Sequence, residues 1–153
     1  MKKTLILLTI VAVGVFLGAP SFADTGQVNI NATVVGTCKF TTSSTTISVT
    51  LDPSINSDVT GTGSLQFWCT KGASYSVSDD DGQYETGPDQ NRVYNSSAEE
   101  YIPYSFSYNP TSGTGSGPTS PITLNVSATF QYNDYKDASA GTYTDTVTIT
   151  VTP

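Results

Sequence analysis

The stretch "QVNINATVVGTC", residues 27–38, places Val28, Ile30, Ala32 and Val34 on one side of an extended chain and Asn29, Asn31 and Thr33 on the other. A strand that alternates this cleanly needs an oily surface on one face only. It stands ahead of the first cysteine, so the surface that receives its apolar row decides both the fold and the function.

What precedes it reads as a secretory signal. Lys2 and Lys3 give a positive start, Leu5 to Leu17 an apolar run, and Ser21-Phe22-Ala23 a small-x-small site, which predicts cleavage after Ala23. The run is shorter than the ~20 apolar residues of a spanning helix, so a membrane anchor is disfavoured. Three parts are therefore expected: a signal over 1–23, an N-terminal strand and hinge over 24–37, and one β-domain over 38–153. Cleavage leaves 130 residues with four basic side chains against thirteen acidic ones, a net charge of −9. One domain is expected, with no membrane insertion and no nucleic-acid or anionic-membrane partner.

Cys38 and Cys69 are the only cysteines. In a secreted chain an even count most simply forms one intramolecular bridge, worth roughly 3.5 kcal/mol for a loop of about thirty residues. Two free thiols or a bridge between subunits are the alternatives.

The remainder reads as all-β. Alternation recurs at Ile47-Val49-Leu51, Leu65-Phe67-Cys69, Ala73-Tyr75-Val77, Tyr104-Phe106-Tyr108, Ile122 to Phe130, and Val147-Ile149-Val151. Gly- and Pro-containing turns separate these runs, with a long one from Asn109 to Pro121, and residues 82–100 are expected to be a loop or irregular crossover. Two antiparallel sheets packed face to face in the immunoglobulin-like manner fit this pattern. Tyr143, two residues after Gly141, suits the tyrosine corner that opens strand F. With Tyr143 on strand F, strand G is expected to be missing, leaving a groove that the opening strand fills in its own subunit or in the next. Gly36 offers a hinge for the second route.

Three segments carry a family resemblance: "TGQVNINATVVGTC" (25–38), "FWCTKGASYSVSDDDG" (67–82) and "DYKDASAGTYTDTVTITVTP" (134–153). They resemble the spore coat protein U domain, shared with pilins of archaic chaperone-usher pili. The resemblance implies an incomplete immunoglobulin-like sandwich, secreted to the periplasm, held by a chaperone that lends a strand, and polymerised head to tail at an outer-membrane usher. It implies Val28, Ile30, Ala32 and Val34 as donor residues and Val147, Ile149 and Val151 as the accepting edge. The family's disulfide joins the start of the first core strand to a later strand, which the cysteine positions fit. Ala32 is small for a donor residue, and Pro153 stands where the family offers its carboxylate to the chaperone.

Histidine is absent from the sequence, which removes Ser-His-Asp catalysis and the common zinc sites. The adjacent pair Glu99-Glu100 points to opposite faces in a strand and suits no glycosidase. "SDDDG", 78–82, lacks the spacing of a calcium loop and reads as a solvated turn. No enzyme, cofactor or metal is expected. Sequons begin at Asn31, Asn95 and Asn125 and matter only in a eukaryotic secretory pathway. Trp68 should face away from the side that Cys69 faces, and the tyrosines at 84, 94, 101, 104 and 108 could include a carbohydrate face. A self-polymerising surface subunit is the leading expectation; a self-complemented binding module or tip adhesin for surface glycans is the alternative.

Overall fold

The computed structural model describes Gly18 and residues 21–153, so nearly all of the expected signal lies outside the described residues. Residues 21–37 form no strand. The body begins with β1 (Cys38–Thr42), followed by β2 (Val59–Cys69), β3 (Ser74–Asp79), β4 (Arg92–Asn95), β5 (Glu100–Pro103), β6 (Ser105–Asn109), β7 (Ser112–Thr114), β8 (Ile122–Phe130), the single turn α1 (Tyr132–Tyr135) and β9 (Ile149–Thr152).

One sheet has the order β1-β2-β8-β6, and a second has the order β7-β3-β9, with β4 and β5 forming a hairpin. The first sheet is built on the long antiparallel pair β2–β8, in register from Val59 opposite Phe130 to Phe67 opposite Ile122. Opposed residues share a face, so Leu65, Phe67, Leu124, Val126, Ala128 and Phe130 all turn inward and are buried. Their neighbours Thr60, Thr62, Ser64, Asn125, Ser127 and Thr129 form the outer face, where the Thr60–Thr129 and Ser107–Ser127 hydroxyls pair across strands at 2.8 Å.

The second sheet closes over this face with Tyr75 and Val77 of β3, and Phe67 meets Phe40 and Tyr75 edge to face at 5.9 and 5.1 Å. A neighbouring cluster centres on Ile102, Tyr104, Ala128, Phe130 and Tyr135. Cys38 and Cys69 oppose each other across β1 and β2 and are bonded as a disulfide, with Cys69 fully buried. The molecule is all-β, an immunoglobulin-like sandwich of two open sheets.

Four local features differ from the sequence expectations. Residues 43–51 are extended and keep their alternation, with Ile47, Val49 and Leu51 half-buried, but they join no ladder. The stretch 82–100 contains β4, which pairs with β5 and places Tyr94 against Tyr101. The Asn109–Pro121 turn contains β7, an exposed edge strand beside β3 with no apolar side chain to announce it. Helix α1 spans one turn and buries Tyr135, whose hydroxyl donates to the Ser57 carbonyl at 2.7 Å. Trp68 lies half-buried on the outer face opposite Lys39.

Candidate functional site

The last strand is an edge. β9 pairs with β3 on one side, and further back Tyr94 and Thr144 exchange N–H and C=O bonds at 2.9 and 3.0 Å, so β3 and β4 flank the same side of the terminal segment in turn. Antiparallel pairs alternate between bonded and non-bonded. The Val77 N–H is spent on the Thr111 carbonyl of the opposite neighbour, and Asp80 donates to the Thr148 carbonyl. The bonded partners of β3 are therefore the even residues. Val147, Ile149 and Val151 direct their backbone groups away from β3, towards an edge that no strand occupies among the described residues. Their side chains pack against the core yet stay half-exposed.

The 43–51 segment supplies a second incomplete surface. Ile47 packs against both core clusters and Val49 and Leu51 against the second, the cluster that Val147 also borders. Two glycines of β2 let this segment lie close: a Cβ at Gly61 would fall inside contact distance of Ile47 and 2.6 Å from Val49 Cγ1, and one at Gly63 2.9 Å from Thr45 Oγ1. Six aliphatic side chains in two alternating rows thus border the core without closing it.

The terminal strand is pinned firmly on its occupied side. The Tyr143 hydroxyl lies 2.9 Å from both the Ser139 carbonyl and Glu100 Oε2 and shares its proton between them. Ser139 donates its N–H and its hydroxyl to Glu100, each at 2.9 Å. These bonds, the Ser139 N–H foremost, then its hydroxyl and that of Tyr143, hold the Glu100 carboxyl below its ordinary range. Asp80 accepts from the Thr148 N–H at 2.8 Å and the Gly82 N–H at 3.1 Å. Burial pushes the Asp80 carboxyl up, but these bonds outweigh it and the net shift is downward. Asp145 accepts from the Gln83 N–H at 2.9 Å and the Tyr104 hydroxyl at 2.6 Å. Burial, then this bond to Asp145, drives the Tyr104 phenol well above its usual range. "SDDDG" is thus partly a clasp on the last strand, and no group of three Asp, Glu or Cys side chains suited to a metal occurs among the described residues.

Comparison with known families bears on this edge. The description "Spore Coat Protein U domain" matches residues 24–150, most of the chain. The chain belongs to the spore coat protein U domain family. Among solved structures, a chain of the CsuC–CsuE chaperone–tip adhesion subunit pre-assembly complex from archaic chaperone-usher Csu pili of Acinetobacter baumannii is similar, at 20% identity and a TM-score of 0.47. The similarity covers 78% of this chain and 40% of that one, so the present chain spans about two fifths of its length. No curated protein matches.

The spore coat protein U match starts at Asp24 and so takes in the opening segment as well as the body. There Val28, Ile30 and Val34 are 85, 88 and 84% exposed, and Ala32 is exposed too. The Val35 carbonyl accepts from the Thr70 hydroxyl at 3.2 Å, and the Thr37 N–H donates to that same hydroxyl at 3.0 Å. A Cβ at Gly36 would lie 3.5 Å from Ala73 Cβ and 3.6 Å from Pro153 Cβ. Gly36 thus lies in a stretch that bonds and packs with the body. Sequence reasoning gave Thr70 and Asp145 no part and read Asp80 only as part of a solvated turn and Glu100 only as half of a non-catalytic pair; the partners of all four lie 33 to 68 positions away. Ala23, the expected cleavage residue, is exposed.

Proposed function

We propose that this protein is a structural subunit of a chaperone-usher type surface fibre, without catalytic activity, that polymerises by strand exchange. The mature chain begins after Ala23. Its segment Val28-Ile30-Ala32-Val34 enters the open edge of the next subunit, alongside Val147, Ile149 and Val151, and that subunit donates in turn. A periplasmic chaperone covers the edge before assembly and an outer-membrane usher assembles the head-to-tail polymer, which supports adhesion and biofilm formation at the cell surface.

The observation that carries this reading is a pairing of opposites. One apolar row of four alternating residues is exposed, and one sheet edge with an aliphatic border has no strand beside it among the described residues. An unpaired edge backed by apolar side chains is an aggregation hazard unless filled, and β-strand addition fills it with backbone bonds and alternate side chains together. Burying three branched side chains and one Ala contributes roughly 5–8 kcal/mol at ~1.5–3 kcal/mol per large residue, before ordering costs. Head-to-tail placement leaves one unfilled edge at every stage, which is the condition for an open fibre.

A synthetic peptide of residues 24–37 tests this directly. Mixed with a body that starts at Gly36, it should form a one-to-one complex and raise the body's unfolding temperature, whereas a peptide with Ile30 and Val34 changed to Asp should do neither. Equal effects from the two peptides would sink the reading.

A further inference from the structure

A second feature lies on the β4–β5 hairpin, apart from the open edge. Tyr94 and Tyr101 stand directly opposite each other across its two strands, with ring centroids 4.6 Å apart and planes inclined by 29°. Tyr84 meets these rings at 5.1 and 5.9 Å. We infer that Tyr94 and Tyr101 are a site of oxidative modification, at which a one-electron oxidant joins the two rings within one chain as dityrosine.

Three properties set this pair apart from the other tyrosines. The backbone brings it close: Tyr94 spends both its N–H and its C=O on Thr144, so its pairing with Tyr101 is of the non-bonded kind, with Cα atoms about 4.5 Å apart and side chains at their closest. Its phenols are uncommitted. The hydroxyls of Tyr104, Tyr108, Tyr132, Tyr135 and Tyr143 each donate to a protein oxygen, whereas those of Tyr84, Tyr94 and Tyr101 have no partner among the described residues. The pair is also within reach of an oxidant, since Tyr101 is 44% exposed and Tyr94 half-buried beside it. Tyr132 and Tyr135 form the contrasting pair, 5.6 Å apart and nearly perpendicular at 87°, with both hydroxyls held.

Arg92 fixes the cluster in place. Its Nε donates to the Tyr84 carbonyl at 2.8 Å and its guanidinium lies 4.3 Å from the Tyr101 ring centroid, which ties the loop that carries Tyr84 to the hairpin. Rings already held together react as one molecule and not as two, the condition under which proximity contributes most.

The oxidant is hydrogen peroxide acting through a haem peroxidase. Each phenol gives up one electron and its hydroxyl proton, leaving two tyrosyl radicals. One carbon ortho to each oxygen then supplies one electron to a new C–C bond, and the hydrogen on each of those carbons moves to its phenol oxygen. One hydrogen peroxide is reduced to two waters, and the protein loses two hydrogens. Because Tyr94 also bridges to Thr144, the bond fastens the hairpin that lies beside the terminal segment.

Residues 24–153 treated with a haem peroxidase and hydrogen peroxide should gain dityrosine fluorescence, and the denatured product should have the mass of a single chain less two hydrogens, in a yield independent of protein concentration. Cleavage after Glu99 and Glu100 puts the two rings on different peptides, and a joined pair carrying Tyr94 and Tyr101 should be recovered. Tyr94→Phe and Tyr101→Phe should each lower the yield within single chains about tenfold or more, and Tyr84→Phe by no more than about twofold. Each exchange removes only a hydroxyl that bonds to nothing in the protein, so the fold survives it. Absence of dityrosine, cross-links found only between chains or at other tyrosines, or an undiminished yield in Tyr101→Phe would each overturn the proposal. None of these tyrosines belongs to the open edge, so a failure here leaves strand exchange intact, and a failure of strand exchange leaves this cross-link measurable.

Discussion

Ile30→Ala separates the two roles a donor residue can have. In the single chain Ile30 is 88% exposed, so shortening it removes almost no buried surface. Subunit stability should move by no more than about 0.5 kcal/mol, the usual span of surface substitutions. In the proposed fibre the same side chain would be buried, and losing an isoleucine from a packed site to alanine costs about 2–5 kcal/mol. Taking the lower third of that range, about 2–3 kcal/mol at 1.4 kcal/mol per tenfold, subunits should separate roughly 30- to 140-fold faster. The assay is a pair of measurements: thermal unfolding of the chaperone-bound subunit, and survival of fibre ladders in SDS after graded heating. Asn29→Ala and Asn31→Ala, on the opposite side of the strand, should change neither readout much. Ladders as resistant as the parent's, or a subunit that melts several degrees lower, would refute the reasoning, because either result gives Ile30 a burial other than the one assigned.

Three further outcomes are expected. Gly61→Val should destabilise the body by about 1–3 kcal/mol through overpacking against Ile47 and Val49, read as a lower denaturant midpoint with the slope unchanged. Replacing Cys38 and Cys69 together by Ala should cost about 2–5 kcal/mol, checked by the same titration, and adding reductant to the double variant should have no further effect. Acid should weaken the fold: Glu100 and Asp80 have lowered values in the native state, so their contribution is complete above the unfolded range near pH ~4 and is lost as pH falls through the lower native values. Asp79, raised chiefly by burial, has the opposite sign: it disfavours the fold at higher pH, and that penalty is relieved as pH falls through its raised native value towards the unfolded one, before the loss from Glu100 and Asp80 sets in. Glu100→Gln should therefore flatten the acid limb of the stability profile, and an unchanged limb would contradict the role given to Ser139 and Tyr143.

The sandwich was legible wherever a face is buried along a whole strand. The rows at Leu65-Phe67-Cys69 and Ile122 to Phe130 alternate because one side of each strand meets the core, and the structure places them as read. Alternation reports which side is oily and not whether the backbone is paired, so Ile47-Val49-Leu51 looked like a ladder strand and is an unpaired extended segment. β4 and β7 were invisible for a related reason: four and three residues long, they depend on neighbours brought from elsewhere, Tyr101 and Thr144 for β4 and Ser74 to Ser76 for β7. The glycines that admit the 43–51 segment gave no sign in the sequence, since their meaning lies in what packs over them. The apolar row of the opening segment was plain from its own residues, as was the row of the last strand. The polar clasp of Asp80, Asp145 and Glu100 could be found only once the chain was folded.

The most direct test of strand exchange compares purified residues 24–153 with a form lacking 24–35, by size-exclusion chromatography and electron microscopy after release from the chaperone. The account predicts SDS-resistant ladders and thin fibres from the longer form and none from the shorter. A longer form that stays a stable monomer would contradict it.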